Sequence, residues 1–132
     1  MTNRVDIQRE PDVVLARQAA RRAAIEMGYS LVDQTRITTA VSELARNIFL
    51  YAGRGWMEYR QVARSDQGKG LEFLFQDEGP GIADIDLAMT VGYTSGGGLG
   101  MGLSGSQRLM DEFEIQSRLG EGTTIRIVKW LG

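Results

Sequence analysis

An α/β two-layer sandwich, with helices packed on one face of a mixed sheet, is the fold class predicted by this sequence, and three observations predict it. Two stretches of helical spacing follow one another in the N-terminal third. Strand-like runs come after them: LEFLF at 71–75, then FEIQS and TTIRIVKWL on either side of an LGEG turn. A glycine-rich loop and one short helical stretch separate those strands, so the order is strand, helix, helix, strand, strand, loop, helix, strand, strand.

The elements are justified in turn. Arg4-Val5-Asp6-Ile7 alternates and suits a short edge strand. Pro11 stands where a helix can start, and Val13 to Met27 reads as helical until Gly28 stops it. Ser30 with Asp33 three residues on resembles a capping box. The helix it opens carries an apolar stripe of Ile37, Val41, Leu44 and Ile48, and Gly53 and Gly55 end it. Trp56 to Ala63 reads as a strand, SDQGKG as a turn and LEFLF as a central strand. Residues 78–99 have no strong period and form a long loop, a length usually kept for functional lids. Met101 to Met110 suits a helix, and the two last strands form a hairpin. Trp56 and Trp130 belong to packing in the core or at the sheet edge.

Composition bounds the chemistry. At 132 residues, without internal repeats or linkers, the chain reads as a single domain over 1–132. A net charge of −2 argues against a partner held by phosphate neutralisation, so no nucleic acid is expected. There are no cysteines and no histidines, which removes thiolate chemistry, zinc–cysteine sites and the commonest general base. No run is apolar for long enough to be a membrane span, and a soluble, cytoplasmic protein without a membrane partner is the expectation.

Three segments carry candidate chemistry. Glu43 and Asn47 lie one helical turn apart on the flank of the apolar stripe, at the rim where helix meets sheet. A carboxylate and an amide there can serve a hard cation such as Mg²⁺, or activate a hydroxyl, or simply be solvated; Asn is a poor residue for a helix interior. In QDEGPGI, 76–82, Asp77 ends a strand just before Gly-x-Gly. This is either a plain turn or a carboxylate facing a pocket, where it would accept from an amino group such as that of adenine. TSGGGLGMGLSGS, 94–106, holds six glycines in thirteen residues and runs into a helix. Each glycine costs roughly 1 kcal/mol inside a regular element relative to alanine. The alternatives are a flexible linker or a bare backbone converging on an anion at a helix N-terminus. Residues 78–107 contain no Lys or Arg, so phosphates held there would be neutralised by amides, the helix dipole and a metal ion. GMGLSG fits G-x-G-x-x-G but no strand directly precedes it, and the V-A-I-K, H-R-D, D-F-G and Walker lysine motifs are missing.

Taken in order, these segments resemble the GHKL ATPase superfamily and imply its Bergerat ATP-binding fold. ELARN (43–47) looks like its N box, DEGPG (77–81) its first glycine box and GGGLGMGL (96–103) its second, with Thr124 of GTT as the threonine on the late strand. The likeness runs from about residue 10 to the end. Within the superfamily, ELARNIFLYAGRG, DEGPGI and YTSGGGLGMGL are most similar to the stand-alone serine/threonine switch kinases of the stressosome. That resemblance implies Asn47 as ligand of Mg²⁺ and through it the phosphates, and Asp77 as partner of the adenine amino group with Thr124 beside it through water. It implies Gly79 and Gly81 as the place where the backbone passes under the nucleotide. Thr94, Ser95, Gly96, Gly97, Gly98, Leu99, Gly100, Met101, Gly102 and Leu103 would be the lid, and Glu43 the group that orients or deprotonates the attacking hydroxyl. It also implies MgATP as phosphoryl donor and STAS-domain proteins, antagonist and co-antagonist, as substrates. A PP2C-type phosphatase would be activated by the kinase once released. Two departures stand out: the lid is short and without basic residues, and Tyr51 occupies a place where histidine kinases often have histidine. An anti-sigma kinase that sequesters a sigma factor, and a non-catalytic ATP-binding phosphatase activator, are the competing readings. A basic face on the first helix (Arg17, Arg21, Arg22) is either solvated or docks an acidic partner.

Overall fold

In the computed structural model, residues 2–81 and 99–131 are described. Strand β1 (Asn3–Ile7) leads into helix α1 (Glu10–Met27) and helix α2 (Leu31–Asn47). A π-helical turn (Ile48–Ala52) then passes to β2 (Gly55–Arg64) and β3 (Gly68–Asp77). Helix α3 (Leu99–Leu109) and the hairpin β4 (Glu112–Arg118) and β5 (Gly122–Trp130) complete the fold. Local chemistry accounts for the helix ends. The Asp12 carboxylate accepts the amides of Gln8 and Arg9 ahead of α1, and Gly28 stops that helix with φ of +87°. The Ser30 hydroxyl accepts the Asp33 amide at 3.1 Å, capping α2 as its sequence predicts.

The strands lie in the order β1-β2-β3-β5-β4, which makes β1 an edge and β3 the centre. Every pairing is antiparallel, so the expected mixed sheet gives way to an antiparallel one. The cause is long-range. β3 and β4 run the same way, but β5 inserts between them and no parallel pair forms among the described residues.

One face of the sheet is covered. Met57, Leu71, Phe73, Phe75, Ile125 and Ile127 are buried against Ile37, Val41, Leu44 and Ile48 of the α2 stripe, and Tyr59 stacks on Phe73 at 5.8 Å. The other face is polar. There Arg126 bridges Glu72 at 2.7 Å and Glu112 at 3.2 Å, Arg60 joins Glu72, and Arg64 lies over the Trp130 ring. Trp56 lies on this face, its indole N–H donating to Glu58 and Gln76.

Tyr29 ties the layers together far from the α2 C-terminus: its buried hydroxyl donates to the Lys129 carbonyl at 2.5 Å. Burial pushes its pKa up to about 12 from 10. The folded state therefore disfavours the phenolate, and this contribution to stability is present below pH 10 and lost between about pH 10 and 12. Tyr29→Phe should cost about 1 kcal/mol at pH 8 by removing one buried hydrogen bond. In urea melts at pH 8 and pH 11 the gap between variant and wild type should close at the higher pH; a gap that widens would contradict this.

Candidate nucleotide site

The C-terminal end of α2, the π-helical turn and the ends of β3 and β5 line a pocket that opens to solvent. Leu44, Asn47, Ile48 and Tyr51 line it from one helical face at spacings of three, one and three. Phe75, Asp77, Thr123 and Ile125 line it from the sheet, Pro80 and Gly81 from the loop after β3, and Leu103 from α3. The π-helical turn, closed by the Gly53 amide on the Ile48 carbonyl at 2.9 Å, continues the helical face far enough to bring Tyr51 in. Such turns recur at functional sites.

Asp77 is the polar centre. Its Oδ1 accepts two backbone amides, Gly79 at 2.9 Å and Thr123 at 3.2 Å. Oδ2 has no hydrogen bond to the described residues. Burial pushes the carboxyl pKa up, opposed by those two amides. The carboxylate is thus fixed by one oxygen and offers the other as an acceptor inside an apolar cavity. Across from it, the Asn47 Nδ2 and the Tyr51 hydroxyl are buried without a partner among the described residues. A buried polar group left unpaired costs about 1–3 kcal/mol, so two in one cavity point to a ligand that satisfies them. Apolar walls with one acceptor and two unpaired polar groups fit a flat heteroaromatic base carrying an exocyclic amine. Asn and Gln amides present either O or N by a half-turn of the terminal torsion, so Asn47 can equally offer oxygen to a hard cation. Among the described residues no cluster of three His, Cys, Asp or Glu could hold a metal without phosphates.

The expected site residues divide. Asn47, Asp77, Gly81 and Leu103 line the cavity. Leu99, Gly100, Met101 and Gly102 form the first turn of α3. Thr94, Ser95, Gly96, Gly97 and Gly98 lie outside the described residues. Glu43 does not line the cavity; it is half-exposed one turn before Asn47, 3.6 Å from the Arg46 guanidinium. Thr124 is a correction. It pairs with Gln76 and its side chain belongs to the outer face, whereas Thr123 pairs with Asp77, lines the cavity and hydrogen-bonds Ser117 at 2.8 Å. A one-residue step along a strand changes faces.

Gly79 and Gly81 are also reassigned in part, because the close neighbours observed are protein. A Cβ on Gly79 would stand 2.5 Å from that of Ala52 in the π-helical turn. Gly81, at φ of +78°, lies against the Arg118 carbonyl of the β4–β5 hairpin, where a side chain would collide. Both contacts hold the strand end that presents Asp77. Sequence reasoning missed Thr123 and underused Tyr51, which the alternation of β5 and the helical spacing from Asn47 could have supplied.

Residues 32–131 match the family of histidine kinase-, DNA gyrase B-, and HSP90-like ATPases. The chain belongs to that ATPase family. It is 56% identical over 128 residues, 96% of this chain and 95% of the relative, to the serine/threonine-protein kinase RsbT of Bacillus subtilis. It is 30% identical over 120 residues (89% and 84%) to the anti-sigma F factor of Thermoanaerobacter sp. strain X514. Among solved structures, the RsbU and RsbW domains of Rv1364c from Mycobacterium tuberculosis share the fold, with a TM-score of 0.68 at 17% identity over 99% of this chain and 32% of that one. These findings place the chain with the RsbT-type protein serine/threonine kinases, as ATP-dependent enzymes of the GHKL fold. No helix among the described residues is long and apolar enough to cross a membrane.

Two predictions separate the site residues. Asp77→Asn keeps an Oδ1 acceptor for both amides but replaces the free oxygen with a donor facing the donor amine. Calorimetry should show ATP affinity reduced at least about 100-fold, a loss of about 3 kcal/mol. The raised pKa means folded-state stability is lost as pH rises through it, so the neutral amide should leave the melting temperature at pH 7 equal or higher. Thr123→Ala should weaken ATP binding by about five- to tenfold, the worth of about one hydrogen bond, and Thr124→Ala should not. The reverse order would contradict the register argument.

Proposed function

We propose that this protein transfers the γ-phosphoryl group of MgATP to a serine or threonine of small STAS-domain proteins. Once they are phosphorylated, it passes to a PP2C-type phosphatase and activates it. The observation that carries the nucleotide half of this reading is the cavity itself, with one acceptor oxygen on Asp77 and two unpaired groups opposite. The likeness to RsbT over nearly the whole of both chains supports the substrate half.

The chain's own groups suit such a transfer, which asks mainly for positioning and electrostatic stabilisation. Asp77 orients the base, with Thr123 beside it. Asn47 would hold Mg²⁺ through its amide oxygen, and when bound the ion neutralises phosphate charge where this chain supplies no basic lid residue. The first-turn amides of α3 would be the donors for the phosphate anion. The substrate hydroxyl oxygen forms a bond to the γ-phosphorus as the bond to the bridging oxygen breaks, ADP leaves, and the hydroxyl proton passes to Glu43. Glu43's half-exposed place outside the cavity suits that role, because its partner is a protein arriving from solvent and not the nucleotide.

Labelled ATP, a purified STAS-domain protein and this kinase test the proposal. Label should appear on serine or threonine of the STAS protein. Glu43→Gln should bind ATP within about twofold of wild type while transfer falls about 100-fold or more. Nucleotide binding without transfer would favour the phosphatase-activator reading. Capture of a sigma factor would favour the anti-sigma reading, to which the 30% identical anti-sigma F relative lends weight.

A further inference from the structure

Helix α1 buries Val13, Ala16, Ala20 and Ala24 against the rest of the fold and turns a different face to solvent. On that face Val14 is 39% exposed and Ile25 55%. With Gln18 and Arg21 they lie within about 60° of one another at about 100° per residue, so they form one straight seam along the helix. Leu15, 53% exposed, flanks it. Arg17 and Arg22 stand on its two sides.

The arginines of this face differ from those on the open sheet face. On the open sheet face Arg60, Arg64 and Arg126 are each paired with carboxylates. Arg17, Arg21 and Arg22 make no ion pair among the described residues. The carboxylate of Asp12 is engaged by backbone amides, which leaves Glu26 against three guanidinium groups on the last three turns. A seam that exposes Val14 and Ile25, with unpaired positive charge between and beside them, is the complement of one kind of surface: an amphipathic helix with an apolar stripe and acidic flanks.

We propose that the outward face of α1 docks an acidic amphipathic helix of a protein partner, with Val14 and Ile25 packing on its apolar stripe and Arg17, Arg21 and Arg22 meeting its carboxylates. The surface is separate from the nucleotide cavity, and the proposal stands whether or not the phosphotransfer reading does.

The test uses the whole protein and a synthetic fluorescent helical peptide with Leu at every third and fourth position and Glu between. Anisotropy should show saturable binding that weakens as salt is raised. Binding should weaken at least about tenfold in R17E/R21E/R22E and again in V14S/I25S, a change of about 1.4 kcal/mol each. ATP affinity measured in the same preparations should stay within about twofold of wild type, which shows that both variants fold. Absence of saturable binding, unchanged binding by either variant, or equal affinity for a scrambled peptide of the same composition would overturn the proposal. So would self-association of the wild type that V14S/I25S abolishes, since a second copy would then occupy the face.

Discussion

A buried carboxylate fixed by one of its two oxygens is the constraint on which the rest of this structure depends. Both amides that reach Asp77, those of Gly79 and Thr123, converge on Oδ1. Neither arrives by chance of local sequence alone. Gly79 is two residues away in a turn that packs on Ala52, and Thr123 comes from β5, 46 residues on, through the register that pairs it with Asp77. Gly55 and Gly122 pack so closely on the end of β3 that a side chain at either would collide with it. The strand end is therefore immobilised by its neighbours, and the free oxygen has one direction in which to point.

The opposite wall follows a different logic. The apolar stripe of α2 buries Leu44 and Ile48, and the same helical face continues through the π-helical turn. Asn47 and Tyr51 are carried into the cavity by this continuation, where their polar atoms find no protein partner. A chain selected for stability alone would place apolar side chains there, and the raised pKa of Asp77 shows the same tension. These are departures from local consistency, and such departures gather at functional sites.

Much of this was legible from sequence because the signals are local. The Ser30 cap, the Gly28 stop and the stripe from Ile37 to Ile48 need only neighbouring residues, and each forms as its pattern predicts. So does the placement of Asp77 at a strand end beside the N-box asparagine. What was not legible depends on distant pairing. The threonine was misassigned by one residue because GTT offers two candidates and only the register with β3 decides which faces inward. The sheet direction depended on β5 entering between β3 and β4. The π-helical turn leaves no mark in the hydrophobic period, since IFLYA continues the apolar run. The glycines after Asp77 are expected where the backbone passes under a nucleotide, but the close neighbours observed are Ala52 and Arg118 of the protein itself.

The central claim is that the cavity reads a purine by the amine it presents to Asp77. Calorimetric titration of the protein with MgATP and, separately, MgGTP tests this most directly. Guanine carries a carbonyl oxygen where adenine carries the amine, so an acceptor would face an acceptor. The account predicts binding of ATP and affinity for GTP at least about 100-fold weaker. Equal affinities, or no heat of binding with either nucleotide, would contradict it.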